Sequence, residues 1–191
     1  MTPPPRALRL DHLALYTRNA RATTRFWTEV LRCRLAAAIA SPSMVVSRLD
    51  FPYLHIFFEL ADGSHIAFFE VPDAGREAPR APPFDMVNHV AFHLDTAADV
   101  YAWKQWLAAH GVPVSGPADH GMLLSIYFDD PTSNCRLEFT TPLARLGDAD
   151  AAQAANMLDE WDAMRDEAAR RALSFSAILR ERLPQHSRLT S

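Results

Sequence analysis

DHLALYTRNARATTRFWTEVL at residues 11–31 and NHVAFHLDTAADVYAWKQWLA at residues 88–108 are two versions of one string. A slide of 77 positions lays His12 on His89, Leu13 on Val90, Ala14 on Ala91, Leu15 on Phe92, Ala20 on Ala97 and Phe26 on Trp103. Each copy reads as a short alternating strand, a polar turn and an amphipathic helix. A second pair follows downstream. LHIFFELADGSHIAFFEV (54–71) holds two apolar runs around an Asp-Gly turn, the mark of a hairpin. LLSIYFDDPTSNCRLEFTT (123–141) repeats it with one more loop residue, setting Phe58 against Phe128 and Ala67 against Glu138. Each half has room for one further strand, near 34–40 and 112–115, so the chain reads as β-α-β-β-β twice.

The stretch between the copies, EVPDAGREAPRAPPFDM (70–86), is rich in Pro and charge and reads as a linker. After Pro142 the composition changes. Residues 148–183 contain no Gly or Pro and space Met157, Leu158, Trp161, Met164 and Ala168 as a helix would, with Pro184 as the stop. The expected fold class is α+β: two paired βαβββ modules (about 8–71 and 86–141) forming a curled sheet around a cleft within residues 1–142. A helical extension follows over 143–191, whose apolar stripe makes a homodimer the expected assembly.

Composition narrows the function. The 191 residues are 49% hydrophobic with a net charge of −4, enough apolar material for a core and no electrostatic footprint for nucleic acid. Cys33 and Cys135 are too few for a disulfide framework, match no zinc spacing and read as core fillers. No run is long enough for a membrane span, and MTPPPRALRL lacks the apolar segment of a secretory signal. The expectation is a cytoplasmic protein without membrane or nucleic-acid partners. Nucleotide-binding glycine motifs, the GxSxG elbow and CxxC are all missing.

The repeat singles out certain histidines. Paired modules related by a local twofold should bring equivalent residues together, here His12 with His89 and Ala67 with Glu138. Strand alternation puts His12, Ala14 and Tyr16 on one face, and His89, Ala91 and His93 on its counterpart. Glu138, between Leu137 and Phe139, shares its face with Arg136 and Thr140. A lone strand histidine is usually a hydrogen-bonded core residue. Two at equivalent repeat positions beside a carboxylate form a set able to hold a divalent metal. Inward Phe57, Phe69 and Ala91, with His55 of the same parity, would line an apolar pocket suited to an aromatic ring.

LDHLALYT…FWTEVL, NHVAFHLD and SIYFDDPTSNCRLEFTTP resemble the vicinal oxygen chelate superfamily over about residues 8–142, with Ser133 where glycine is usual. That family includes glyoxalase I, methylmalonyl-CoA epimerase, fosfomycin and bleomycin resistance proteins, and type I extradiol dioxygenases. The resemblance implies paired βαβββ modules around a metal, with ligand positions at His12, Ala67, His89 and Glu138. Ala67 cannot coordinate, and Glu70, the one nearby substitute, has the wrong parity. The His–His–Glu set that remains resembles the facial triad of small extradiol dioxygenases. It implies Fe(II), with Mn, Co, Ni or Zn as alternatives, and a small aromatic substrate with dioxygen. The same resemblance makes His120 and Tyr127 the proton-handling pair and His65 or His55 the acid–base histidine, and leaves His110 and His186 as solvated bystanders. The rival readings are a glyoxalase- or epimerase-like isomerase or lyase, for which Ala67 is unfavourable, and a non-catalytic resistance protein that binds an aromatic ligand.

Overall fold

The computed structural model describes residues 10–42, 51–72, 87–133, 135–145 and 147–182. The linker expected at 70–86 therefore lies mostly outside the described residues, as do Pro184 and His186. The chain divides into two compact units, residues 1–143 and 144–191.

In the first unit the repeat is realised twice. Strand β1 (His12–Tyr16) is followed by α1 (Ala20–Arg25), which runs into a π-helical turn, Phe26–Val30. Then come β2 (Arg34–Ser41), β3 (Tyr53–Glu59) and β4 (His65–Glu70). The second module is β5 (Val90–His93), α2 (Ala97–Ala109), β6 (Ser115–Asp119), β7 (Leu123–Asp129) and β8 (Arg136–Pro142). The sheets have the orders β1-β4-β3-β2 and β5-β8-β7-β6, parallel only between the first two strands of each. Register confirms the repeat at residue level. Ala14 pairs with Ala67 and Phe57 with Ala67, as Ala91 pairs with Glu138 and Tyr127 with Glu138.

Both helices start at side-chain caps. Asn19 accepts from the Ala22 amide at 2.9 Å, and Thr96 and Asp99 form a capping box on α2. Glu70 accepts from the Ala20 amide at 2.5 Å, so it serves the start of α1, as its strand parity requires.

Alternation divides each strand. Ile56, Phe58, Ile66 and Phe68 from the first sheet, with Ile126, Phe128, Leu137 and Phe139 from the second, enter one continuous core. Trp27 is its hub, with ring centroids 5.6 Å from Phe58, 5.3 Å from Phe68 and 6.0 Å from Phe92. Its indole N–H donates to the buried Asp130 carboxylate at 2.9 Å. Asp130 also accepts from Ser133 Oγ and from the Thr132 amide and hydroxyl, each at 2.7 Å, so the Asp-Pro segment pins one module to the other. Ser133, in the usual glycine position, joins this network. Thr17, Thr23 and Thr132 share hydroxyl bonds, and Trp106 Nε1 donates to the Val30 carbonyl at 2.8 Å. Cys33 packs against this core, and burial pushes its thiol up to about 11.

The second unit corrects the single helix expected over 148–183. It is a helical pair, α3 (Asp148–Arg171) and α4 (Phe175–Arg182). Ala172 takes the left-handed conformation at φ 50°, the Leu173 amide bonds back to the Ala168 carbonyl, and Ser174 Oγ accepts from Ala177. A left-handed cap formed by alanine gives no sequence signal. Met164, Ala168 and Ile178 form the core of this unit, and Arg171 and Arg182 hold Glu167 at 2.9 and 2.8 Å.

Candidate metal centre

Because the Ile/Phe faces of both sheets meet in one core, their other faces lie on opposite sides of it. His12 lies on the outer face of the first sheet; Glu138 lies on that of the second, with His89 immediately before β5. The expectation that the equivalent histidines meet within the chain is not fulfilled. Among the described residues no cluster of three His, Cys, Asp or Glu side chains is placed to hold a metal. The chain instead presents two half-sites.

The half-site on the second sheet is the more complete. His89 donates Nδ1–H to the Val87 carbonyl at 2.7 Å, which orients the ring so that Nε2 faces Glu138. That nitrogen lies 2.7 Å from Oε2 of Glu138, whose side chain is 5% exposed. A nitrogen lone pair and a carboxylate oxygen at this separation are two acceptors, and only a cation between them, a proton or a metal ion, makes the arrangement favourable. Ala91 is the strand neighbour of Glu138.

Tyr127 sits across the ladder from Glu138, its ring edge-on to His89 at 5.9 Å. Its hydroxyl is 2.9 Å from His120 Nε2. Burial, then the Glu138 charge, pushes the Tyr127 phenol pKa up, so it is protonated at neutral pH. Thus His120, Tyr127, His89 and Glu138 lie together on the second sheet. Sequence reasoning gave no role to Arg136. Two residues from Glu138 and on its face, it stacks its guanidinium over Tyr127 at 4.9 Å while its Nε is buried without a partner. Its parity beside Glu138 was the available signal.

The other half-site gathers His12, His55, His65, Phe57 and Phe69. His12 Nδ1 is 2.7 Å from Asp11 Oδ1, which turns Nε2 outward, the device by which carboxylates orient metal-binding imidazoles. His65 is the register partner of His12 and shares its face. It therefore stands beside the histidine of the first sheet, and among the described contacts none joins it to Tyr127 or His120. His55 stacks on Phe69 at 3.6 Å and tilts against Phe57 at 4.1 Å. Burial, then the neighbouring His12, lowers its pKa, and its Nε2 is buried without a partner. Ala67 is fully buried on this face and Glu70 is occupied at α1, so the fourth family position offers no ligand. His93 is exposed beside Asp95, and His110 bonds to the Trp106 carbonyl on its own helix. A cavity of about 670 Å³ at the module junction, lined by Trp27, Phe92, Trp103 and Phe139, contains none of the proposed ligands.

The profile of the Glyoxalase/Bleomycin resistance protein/Dioxygenase superfamily matches residues 9–139. The chain belongs to this superfamily. A metapyrocatechase of Pseudomonas sp. (strain CF600) is 30% identical over 133 residues, 68% of this chain and 38% of that protein. The chain thus matches well under half the length of that relative. Among solved structures, a glyoxylase/bleomycin resistance protein/dioxygenase domain from Frankia sp. EAN1pec is similar with a TM-score of 0.57 at 19% identity, over 72% of this chain and 99% of the other. The fosfomycin resistance protein FosX of Listeria monocytogenes is similar with a TM-score of 0.50 at 22% identity, over 71% of this chain and 94% of the other. These structures share the superfamily fold. No helix among the described residues is long and apolar enough to cross a membrane.

Proposed function

We propose that this superfamily member is an Fe(II)-dependent, extradiol-type dioxygenase that cleaves a small catecholic or related aromatic substrate, with His89 and Glu138 of one copy and His12 of a second copy as the metal ligands. The observation that carries the reading is the His89–Glu138 pair. Its ring nitrogen and carboxylate oxygen face each other at 2.7 Å, two donor atoms of the kind a divalent metal takes. The similarity to a metapyrocatechase supports the same direction.

Two imidazoles and one carboxylate suit Fe(II), and Mn, Co, Ni and Zn are the other metals such a set accepts. When bound, Fe(II) supplies a Lewis acid with free coordination positions for two substrate oxygens and dioxygen. The protein's own groups do the rest. Tyr127, a neutral phenol, holds a hydrogen bond to a substrate oxygen. His120, 2.9 Å from that phenol, takes and returns the proton. Phe57, Phe69 and His55 provide flat apolar surface for an aromatic ring. A four-ligand isomerase of the glyoxalase kind is disfavoured because Ala67 is buried and Glu70 caps α1.

The test is anaerobic loading with Fe(II) followed by catechols under air, reading dioxygen uptake and the absorbance of a ring-opened product. Uptake by the wild type and none by Glu138→Gln is expected. Iron-loaded protein that consumes no dioxygen with any catechol would overturn the dioxygenase assignment.

A further inference from the structure

We propose that the first half of α3 is a docking surface for α3 of a second copy of this chain, the two helices crossing antiparallel at Leu158. The inference concerns the second unit alone and does not rest on the metal-site reading. Every residue of α3 from Asp148 to Glu160 is exposed. At 1.5 Å per residue that is a rod about 20 Å long without a buried side chain. Packing begins only at Trp161, beyond which Met164 and Ala168 close on Ile178 of α4. A helical segment of this length is marginal in water even when rich in alanine, so it gains from a packed face.

The apolar stripe read from the sequence is split by this arrangement. Trp161, Met164 and Ala168 are used within the unit, while Met157 is 43% and Leu158 67% exposed. Leu158 stands near the midpoint of Asp148–Arg171, and the helical repeat puts Ala151, Ala154 and Ala155 on its side. One large apolar side chain among alanines lets a second helix approach closely.

Charge selects the second helix and its direction. Residues 148–162 carry Asp148, Asp150, Asp159, Glu160 and Asp162 and no Lys or Arg, and the arginines of α3 begin at Arg165. Among the described residues the ion pairs of this unit all lie at its other end, Arg171 with Glu167 and Glu181 and Arg182 with Glu167. A parallel copy would set acid on acid. An antiparallel copy centred on Leu158 brings Arg165 level with Ala151 of the second copy, whose neighbours on that helix are Asp148 and Asp150. The twofold makes the same contact twice, as a self-complementary interface requires.

Single cysteines on α3 of the full-length chain read this geometry, because a disulfide needs Cα atoms within about 7 Å. The protein is oxidised mildly with chelator present and covalent dimer is read on a non-reducing gel, with wild type as the control for Cys33 and Cys135. Leu158→Cys should link to itself at least about tenfold faster than Asn156→Cys, which lies about 200° round the helix and reports chance collision. Ala154→Cys and Asp162→Cys should each stay unlinked alone, since equivalent residues lie about 12 Å apart along an antiparallel pair, and should link when mixed. Ala154→Cys that links to itself shows a parallel pair and overturns the proposal. Leu158→Cys that links no faster than Asn156→Cys leaves this face to the first unit or to a different protein, and overturns it as well.

Discussion

Replacing Glu138 by Gln separates a ligand from a structural carboxylate, because the two roles predict opposite patterns. Glu138 Oε2 faces His89 Nε2 at 2.7 Å, and the side chain is 5% exposed. The amide of Gln can donate to the same nitrogen lone pair, so the contact survives without a shared cation. The change gives up a charge-assisted bond, gains a neutral one of about 1 kcal/mol, and removes the desolvation cost of a buried carboxylate. Metal-free stability should therefore move by no more than about 1 kcal/mol in urea unfolding. Metal binding should respond very differently. Groups that only orient ligands are worth about 10–100-fold in affinity, so losing the anionic ligand itself should weaken Fe(II) by at least about 100-fold, or about 2.7 kcal/mol. Anaerobic titration with Fe(II), followed by dialysis and iron analysis, reads that change. Wild-type iron affinity in the variant would refute the ligand assignment. A loss of about 3 kcal/mol or more in the metal-free protein would show that Glu138 holds the fold together instead.

Three further outcomes follow from the same geometry. Asp11→Asn should keep the fold and weaken metal binding by about 10–100-fold, since Asp11 orients His12; unchanged affinity in the iron titration would count against that role. Trp27→Phe keeps most of the ring packing but loses the indole bond to Asp130, so urea unfolding should show a loss of about 3 kcal/mol; a loss below about 1 kcal/mol would contradict a bridging role for that bond. With its thiol raised to about 11, Cys33 is about one part in a thousand thiolate at pH 8. In a Cys135→Ser background, alkylation of folded Cys33 should be about 100-fold slower than in denatured chain and should keep rising through pH 10. A rate that levels off near pH 9 would contradict the burial.

How much was legible in the sequence depended on how local each signal was. The two modules and the equivalence of Ala67 with Glu138 followed from a self-match and from period-two alternation, which depend only on neighbouring residues. The pairing of Ala67 with Ala14 and Phe57, and of Glu138 with Ala91 and Tyr127, came only with the sheet register, and the strand expected near 112–115 lies at Ser115–Asp119. The break between α3 and α4 escaped because Ala172 is a good helix former held in a left-handed cap by backbone bonds of residues 172 and 173 to the Ala168 and Ala169 carbonyls. Arg136 escaped because an arginine on a strand reads as an ordinary surface charge until its buried Nε is seen without a partner.

The amino-acid sequence by itself determined that the chain repeats a βαβββ unit, and which residues share each strand face. It also gave the residue types of the candidate ligands, because residue type and parity travel with the chain. Only the tertiary structure decided where those faces point. The modules meet through Trp27 and the Ile/Phe faces of both sheets, so their ligand faces turn outward on opposite sides. A local twofold between two modules is compatible with cores apart and clefts together, or with cores together and clefts apart. The side on which apolar burial is completed chooses between them, and that choice belongs to long-range packing, which spacing along the chain does not encode.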